Sequence, residues 1–165
     1  MIGIVVFAVF FGSCNETEEP QVVGNWKPIP VTEKSAKVIA SSNAFGLDLF
    51  TRLVEAEETK NVVISPLSVS LALAMTYNGA EGETKTAMGK ALKMSGLTTN
   101  EINQSFLDLM EALLTVDPKV TMEIAQSIWY RQGLPVLESF KQVNRTFYAA
   151  EVNELDFARP DAKDI

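Results

Sequence analysis

Between Ser65 and Gly79 the chain reads SPLSVSLALAMTYNG, a segment apolar on nearly every face: Leu67, Val69, Leu71, Leu73, Ala74 and Met75 leave no polar stripe for water. A helix of that kind belongs inside, and each buried Leu or Val contributes roughly 1.5–3 kcal/mol only if other layers cover it. The rest of the chain has to wrap this rod. Ser65 suits the N-cap, because its hydroxyl can accept a free backbone N–H two or three residues on. Pro66 at the first helical position gives up no hydrogen bond. The β-preferring residues 62–64 predict a short strand feeding the helix, and Asn78-Gly79 offers a left-handed residue to stop it.

The 165 residues, 47% of them hydrophobic, suit one domain with an ordinary core. A net charge of −7 makes nucleic acid a poor partner for this surface. Histidine is absent and Cys14 is the only cysteine, so neither an internal disulfide nor His/Cys metal spacing exists. Without histidine a serine or cysteine nucleophile lacks its usual base, and Ser65 is not in a Gly-x-Ser-x-Gly elbow. The carboxylates Glu57-Glu58 and Glu16 to Glu19 sit in loops without the apolar surroundings that split paired pKa values. Residues 79–86 hold two glycines and Lys85-Thr86 but are no P-loop, which needs Gly directly before the Lys and a strand before the loop. No catalytic residue, metal ligand or cofactor is assigned.

Along the chain, residues 2–11 form an apolar run too short to span a bilayer as a stable helix, followed by Gly12-Ser13-Cys14. Residues 1–14 resemble a secretory signal with a bacterial lipoprotein box, in which Cys14 is lipidated and becomes the mature N-terminus. No Lys or Arg precedes the run, and Phe11 stands where the box usually has Leu. The alternative is a buried strand. The acidic residues after Cys14 resemble the signal that sends some lipoproteins to the outer surface. Residues 15–37, polar and broken by Pro20, Gly24, Pro28 and Pro30, predict a flexible tether. Ser41-Ser42-Asn43 offer caps for an amphipathic helix to about Ala56, with Phe45, Leu49 and Leu53 four apart and Leu47, Phe50 and Val54 beside them.

Beyond the rod, Thr84 predicts the cap of a short helix with Met88, Ala91 and Leu92 on one face. Thr98 and Glu101 have capping-box spacing, and Ile102, Phe106, Leu109, Met110, Leu113 and Leu114 recur at threes and fours. Residues 120–130 alternate, with Gln126 the one polar break on the apolar face, and predict a strand covered on one side. Phe140, Val143 and Phe147 mark another helix, and residues 152–157 a weaker strand. Asn15, Asn103 and Asn144 each open an Asn-x-Ser/Thr glycosylation sequence.

The run over residues 61–92 resembles the serpins, whose second-helix pattern is an Asn, a short apolar strand, Ser-Pro-x-Ser, an apolar helix, Gly-Ala, Gly-x-Thr and a Leu. Asn61, Ser65, Pro66, Ser68, Gly79, Thr84 and Leu92 match it, and Phe45 matches a Phe of the first family helix. The order strand, Gly-Pro turn, helix, and residues 151–157 is similar to two strands of the serpin central sheet. The resemblance implies an α+β, incomplete serpin fold over residues 38–165: N-terminal helices packed with strands of the large central sheet.

It also implies a mechanism. In that family a protease cleaves a reactive loop, which inserts into the sheet and drags the attached protease across. Asn61, Ser65 and Ser68 match the shutter beneath the opening strands. The reactive loop lies beyond residue 165, so no reactive-site residue is in this chain. The implied partner is a serine protease, or a cysteine protease, with a membrane reached through a lipid on Cys14, at the outer membrane or cell surface. Glu101, Asp108 and Glu111 occupy the stretch that binds glycosaminoglycan in some members, which disfavours that ligand. The alternatives are a non-inhibitory serpin-like surface protein that binds a partner, and an independent α/β enzyme.

Overall fold

The structure, a computed structural model, describes residues 28, 31–57 and 60–162. Its elements are α1 (Glu33–Ala56), α2 (Pro66–Tyr77), α3 (Gly82–Ala91), α4 (Thr99–Thr115), β1 (Ser127–Arg131), α5 (Glu138–Tyr148) and β2 (Glu151–Leu155). The rod, α2, is the hub. It touches α1, α3, α4 and α5, and Leu71 and Met75 are 3% and 5% exposed. Around them close Val38 from α1, Ile102, Phe106 and Met110 from α4, Tyr148 from α5 and Val152 from β2. The Phe106 and Tyr148 rings meet at 6.1 Å between centroids, tilted by 42°, an arrangement the ring quadrupoles favour.

Local chemistry explains most of the boundaries. Ser65 caps α2 by accepting from the Ser68 N–H, with Pro66 in the first turn. Thr98 and Glu101 close the expected capping box of α4, each side chain bonding the other's backbone N–H. The start of α1 differs from the expectation. It begins at Glu33, inside the stretch read as a tether, because Thr32 and Ser35 form a capping box and Ser35 and Val38 are buried. The polar run that suggested a linker holds a cap, and the first buried turn follows from it.

Three further expectations are corrected. Neither Asn78 nor Gly79 is left-handed: Asn78 stays right-handed as the C-cap of α2. Gly79 is needed for room, since a Cβ there would lie 2.9 Å from the Phe140 ring. Thr84 does not cap α3; Glu81 holds that position without a side-chain bond, and Thr84 is exposed on the first turn. On the face expected for that helix Leu92 is buried, but Ala91 is exposed.

The strands are shorter than their patterns. Residues 61–65 form no strand among the described residues, and Val63 is 91% exposed. The expected strand over residues 120–130 is reduced to Ser127–Arg131, although inward and outward side chains alternate from Ile124 to Tyr130. A ladder needs a neighbour, and among the described residues β1 has only β2. The two pair in parallel, Ser127 opposite Glu151 through Arg131 opposite Leu155, with α5 as the crossover. β2 ends before Phe157 because the Asp156 carboxylate accepts from the Ala158 N–H and turns the chain. No helix among the described residues is long and apolar enough to cross a membrane.

Candidate functional site

The first turn of α2 brings two hydroxyls together. Ser65 Oγ and Ser68 Oγ are 2.8 Å apart, and the Ser68 N–H donates to Ser65 Oγ at 3.4 Å. A residue at N-cap and one three positions on necessarily face each other, so the pair follows from capping geometry. Both serines are exposed, as is Asn61 in the extended lead to the helix. The turn is pressed against α1: a Cβ on Gly46 would lie 2.6 Å from Pro66 Cβ. Glycine is what lets the two backbones approach there.

Ser68 also lines a cleft of about 230 Å³ between α2 and the approach to β1, facing residues 124–127 across Leu71, Ala72 and Met75. Gln126, the polar break expected from the alternation, closes its floor. Its Nε2 donates to the Tyr148 carbonyl at 3.0 Å and contacts Met110 Sδ at 3.2 Å, while its own carbonyl accepts from the Glu151 N–H. The amide thereby ties β1 to the end of α5, where Ala149 is left-handed with φ 49°. Its Oε1 is buried without a partner among the described residues.

Behind the cleft lies a buried polar knot. Tyr148 OH donates to Asn103 Oδ1 at 2.7 Å. Asn103 Nδ2 donates to Asn78 Oδ1 at 2.9 Å, and Asn78 Nδ2 to Asn103 Oδ1 at 3.1 Å and Asn144 Oδ1 at 3.4 Å. Asn144 Nδ2 donates to the Phe140 carbonyl at 3.0 Å. Three helices, α2, α4 and α5, meet through these side chains, with Asn103 3% and Asn144 0% exposed. Burial pushes the Tyr148 phenol above its ordinary value, so it is a donor at any physiological pH. Interlocked amides in a low-dielectric interior specify one packing, because any shift leaves a buried group unpaired.

The structure thus brings Ser65 and Ser68 into contact with each other and sets Asn61 on the same extended lead. Pro66 and Phe45 are partly buried in the α1–α2 contact region, and Leu92 is in the core. Cys14 lies outside the described residues. The knot was missed from sequence. Asn78 was read as a helix stop, and Asn103 and Asn144 only as glycosylation sequences, yet both are too deeply buried to carry a glycan in this fold. The signal was present: Asn103 sits beside Ile102 and three before Phe106, and Asn144 midway between Phe140 and Tyr148, on apolar helix faces. The acidic residues of α4 divide. Glu101 pairs with Lys34 at 2.8 Å, while Asp108 and Glu111 line a groove beside Thr32.

Comparison with known proteins places this arrangement. A sequence model of the family described as "Serpin (serine protease inhibitor)" matches residues 40–165. The corticosteroid-binding globulin of Saimiri sciureus is 35% identical over 129 residues, covering 76% of this chain and 32% of that protein. The leukocyte elastase inhibitor of Bos taurus is 33% identical over 120 residues, 73% of this chain and 31% of that one. An uncharacterized serpin-like protein of Methanosarcina acetivorans is 30% identical over 129 residues, 76% and 30%. The solved structure of a cleaved Serpin 42Da superposes with a TM-score of 0.66 at 22% identity, over 76% of this chain and 32% of that one. The chain spans about a third of the curated relatives it matches, 32% of the first.

The fold is therefore α+β and a partial serpin fold, helix-rich with a short strand pair. A buried rod introduced by Ser-Pro-x-Ser and a parallel pair laid beside it go together with the match over residues 40–165: the chain belongs to the serpin family.

Proposed function

We propose that this chain is the N-terminal part, residues 38–165, of a serpin that traps a serine protease, or a cysteine protease, by inserting a cleaved reactive loop into its central sheet. The observation that carries the reading is the Ser65–Ser68 pair, whose Ser68 lines the cleft between α2 and the approach to β1. Hydroxyls 2.8 Å apart can each donate or accept. They can exchange partners as strands slide over α2, which is the role proposed for Asn61, Ser65 and Ser68 as a shutter. Uncovered apolar surface supports further layers over this part: Leu47, Phe50 and Val54 on α1 and Val63 are exposed, and a groove of about 630 Å³ runs between α1 and residues 62–66.

The test is to incubate the full-length protein with a panel of serine and cysteine proteases and look for a complex that survives denaturing electrophoresis. Such a complex, together with a large rise in thermal midpoint after cleavage of the loop alone, is the expected result. A protein that forms no complex and gains no stability on cleavage overturns the inhibitory reading. The second reading, a non-inhibitory surface protein that binds a partner, is favoured by the 35% identity to a relative named for binding. The same cleavage experiment separates the two.

We further propose that residues 1–14 are a bacterial export signal, that Cys14 carries a lipid anchoring the protein at the outer membrane or cell surface, and that the polar residues from 15 up to the α1 cap are its tether. Metabolic labelling with palmitate is expected to mark the protein and to fail in Cys14→Ser; labelling that persists rejects the anchor. Glycosaminoglycan is not proposed as a ligand, since Asp108 and Glu111 line the groove along α4. No catalytic activity is proposed.

A further inference from the structure

At the other end of α2 from Ser65 and Ser68, α3 and the turn before α4 border a pocket of about 350 Å³. Three features of it point to a ligand. The first is Tyr77. Its side chain is 9% exposed, and its hydroxyl has no hydrogen-bond partner among the described residues, although it stands at the pocket wall beside Gly89. The ring is buried while the hydroxyl reaches the solvent of the pocket, where it is free to bond a ligand or water.

The second feature is Gly89 itself, buried in the middle of α3. Helix interiors disfavour glycine against alanine. Nothing demands it here: its φ is not positive, and a Cβ would meet Tyr77 Oη at 3.7 Å and the ring at 3.8 Å, ordinary contact distances. A Cβ there would occupy the space next to the Tyr77 hydroxyl, where both residues line the pocket.

The third is charge. In a chain of net charge −7 no carboxylate among the described residues lines this pocket, while Lys85 does, its Nζ 4.8 Å from the Tyr77 ring centroid. Ser95 adds a second hydroxyl to the lining, while the Thr86 hydroxyl donates to the Gly82 carbonyl. The ammonium is a donor only, and both free hydroxyls can donate. A group that accepts on every side, and carries negative charge, satisfies all three.

We propose that Tyr77, Lys85, Gly89 and Ser95 form a binding site for the phosphate group of a small phosphomonoester. Phosphate fits better than carboxylate because the cation lining the pocket is a lysine point charge, with no planar arginine fork beside it. The site is not a P-loop, since α2 and not a strand leads into it. A pocket of this size holds a small ligand and nothing larger.

The test follows the thermal midpoint of the intact protein against inorganic phosphate, with succinate at matched ionic strength as the carboxylate arm. A ligand that binds only the folded state raises the midpoint with its concentration. Phosphate is expected to raise it saturably and succinate not to. Lys85→Gln and Tyr77→Phe should each weaken the apparent affinity about tenfold. Gly89→Ala should abolish the shift without lowering the midpoint measured in the absence of phosphate. No phosphate-specific shift, or a shift retained in Lys85→Gln and Gly89→Ala, overturns the site; a succinate shift as large as that of phosphate overturns the phosphate assignment. A Gly89→Ala protein less stable than wild type overturns the claim that the glycine serves a ligand.

Discussion

Tyr148 donates to Asn103 at 2.7 Å across 45 residues of sequence, joining the last turn of α5 to the buried face of α4. Asn103 Oδ1 also accepts from Asn78, so removing the tyrosine hydroxyl does not orphan it. Tyr148→Phe is therefore expected to cost about 1 kcal/mol, whereas Asn103→Ala, which strands both Tyr148 OH and Asn78 Oδ1, should cost about 2–4 kcal/mol. Urea unfolding of the intact protein measures both. The double variant should fall well short of the sum, since the two share one bond.

Gly46 is required by the approach of α1 to Pro66. Gly46→Ala forces a contact of 2.6 Å to open, and overpacking of this kind costs about 1–3 kcal/mol. Because the shift falls on the first turn of α2, the Ser65–Ser68 pair moves with it. A stability unchanged from wild type would show that the helices separate without resistance.

Ala149 sits at φ 49°, a left-handed conformation that burdens any residue with a Cβ. Ala149→Gly should stabilise the protein by about 1 kcal/mol, seen as a higher urea midpoint at unchanged slope. A loss of stability would mean that the Ala149 methyl makes a contact worth more than the strain it carries.

Glu101 sets a pH dependence. The Lys34 ammonium, and after it the Thr98 backbone and hydroxyl, hold its carboxyl at about 2, below the ordinary 4.5. The folded state gives up this negative charge later than the unfolded chain does as pH falls. The stabilisation is complete above pH 4.5 and drains away as pH drops toward 2. Glu101→Gln should flatten the stability profile over that window, with little change in slope above it.

How far the sequence could be read depended on whether the deciding partner was local. Helix α2, the α4 capping box and the inward alternation from Ile124 to Tyr130 rest on residues within a turn or two of each other, and they were legible. The first turns of α1 were hidden by a cap of Thr32 and Ser35, which looks like linker until Val38 is seen to be buried. Gly79 was legible as punctuation but not as clearance, because Phe140 reaches it from α5. The Ser65 cap is legible from its spacing, whereas Ser68 is singled out through the family resemblance and its contact with Ser65 is seen only in the folded turn. The asparagine knot did not, since a polar residue on an apolar face has no visible partner until three helices are assembled.

The crossover between β1 and β2 has a consequence for the order of assembly. Joining parallel strands means closing a loop around a helix, and the entropy of that closure grows with its length. The unit from Ser127 to Leu155 keeps the loop short, and Gln126 latches its open end by bonding the Tyr148 carbonyl. Its pairing partners all lie in one stretch of sequence, and α5 seats the unit on α4. A strand added to either edge would meet a register already set by five paired positions.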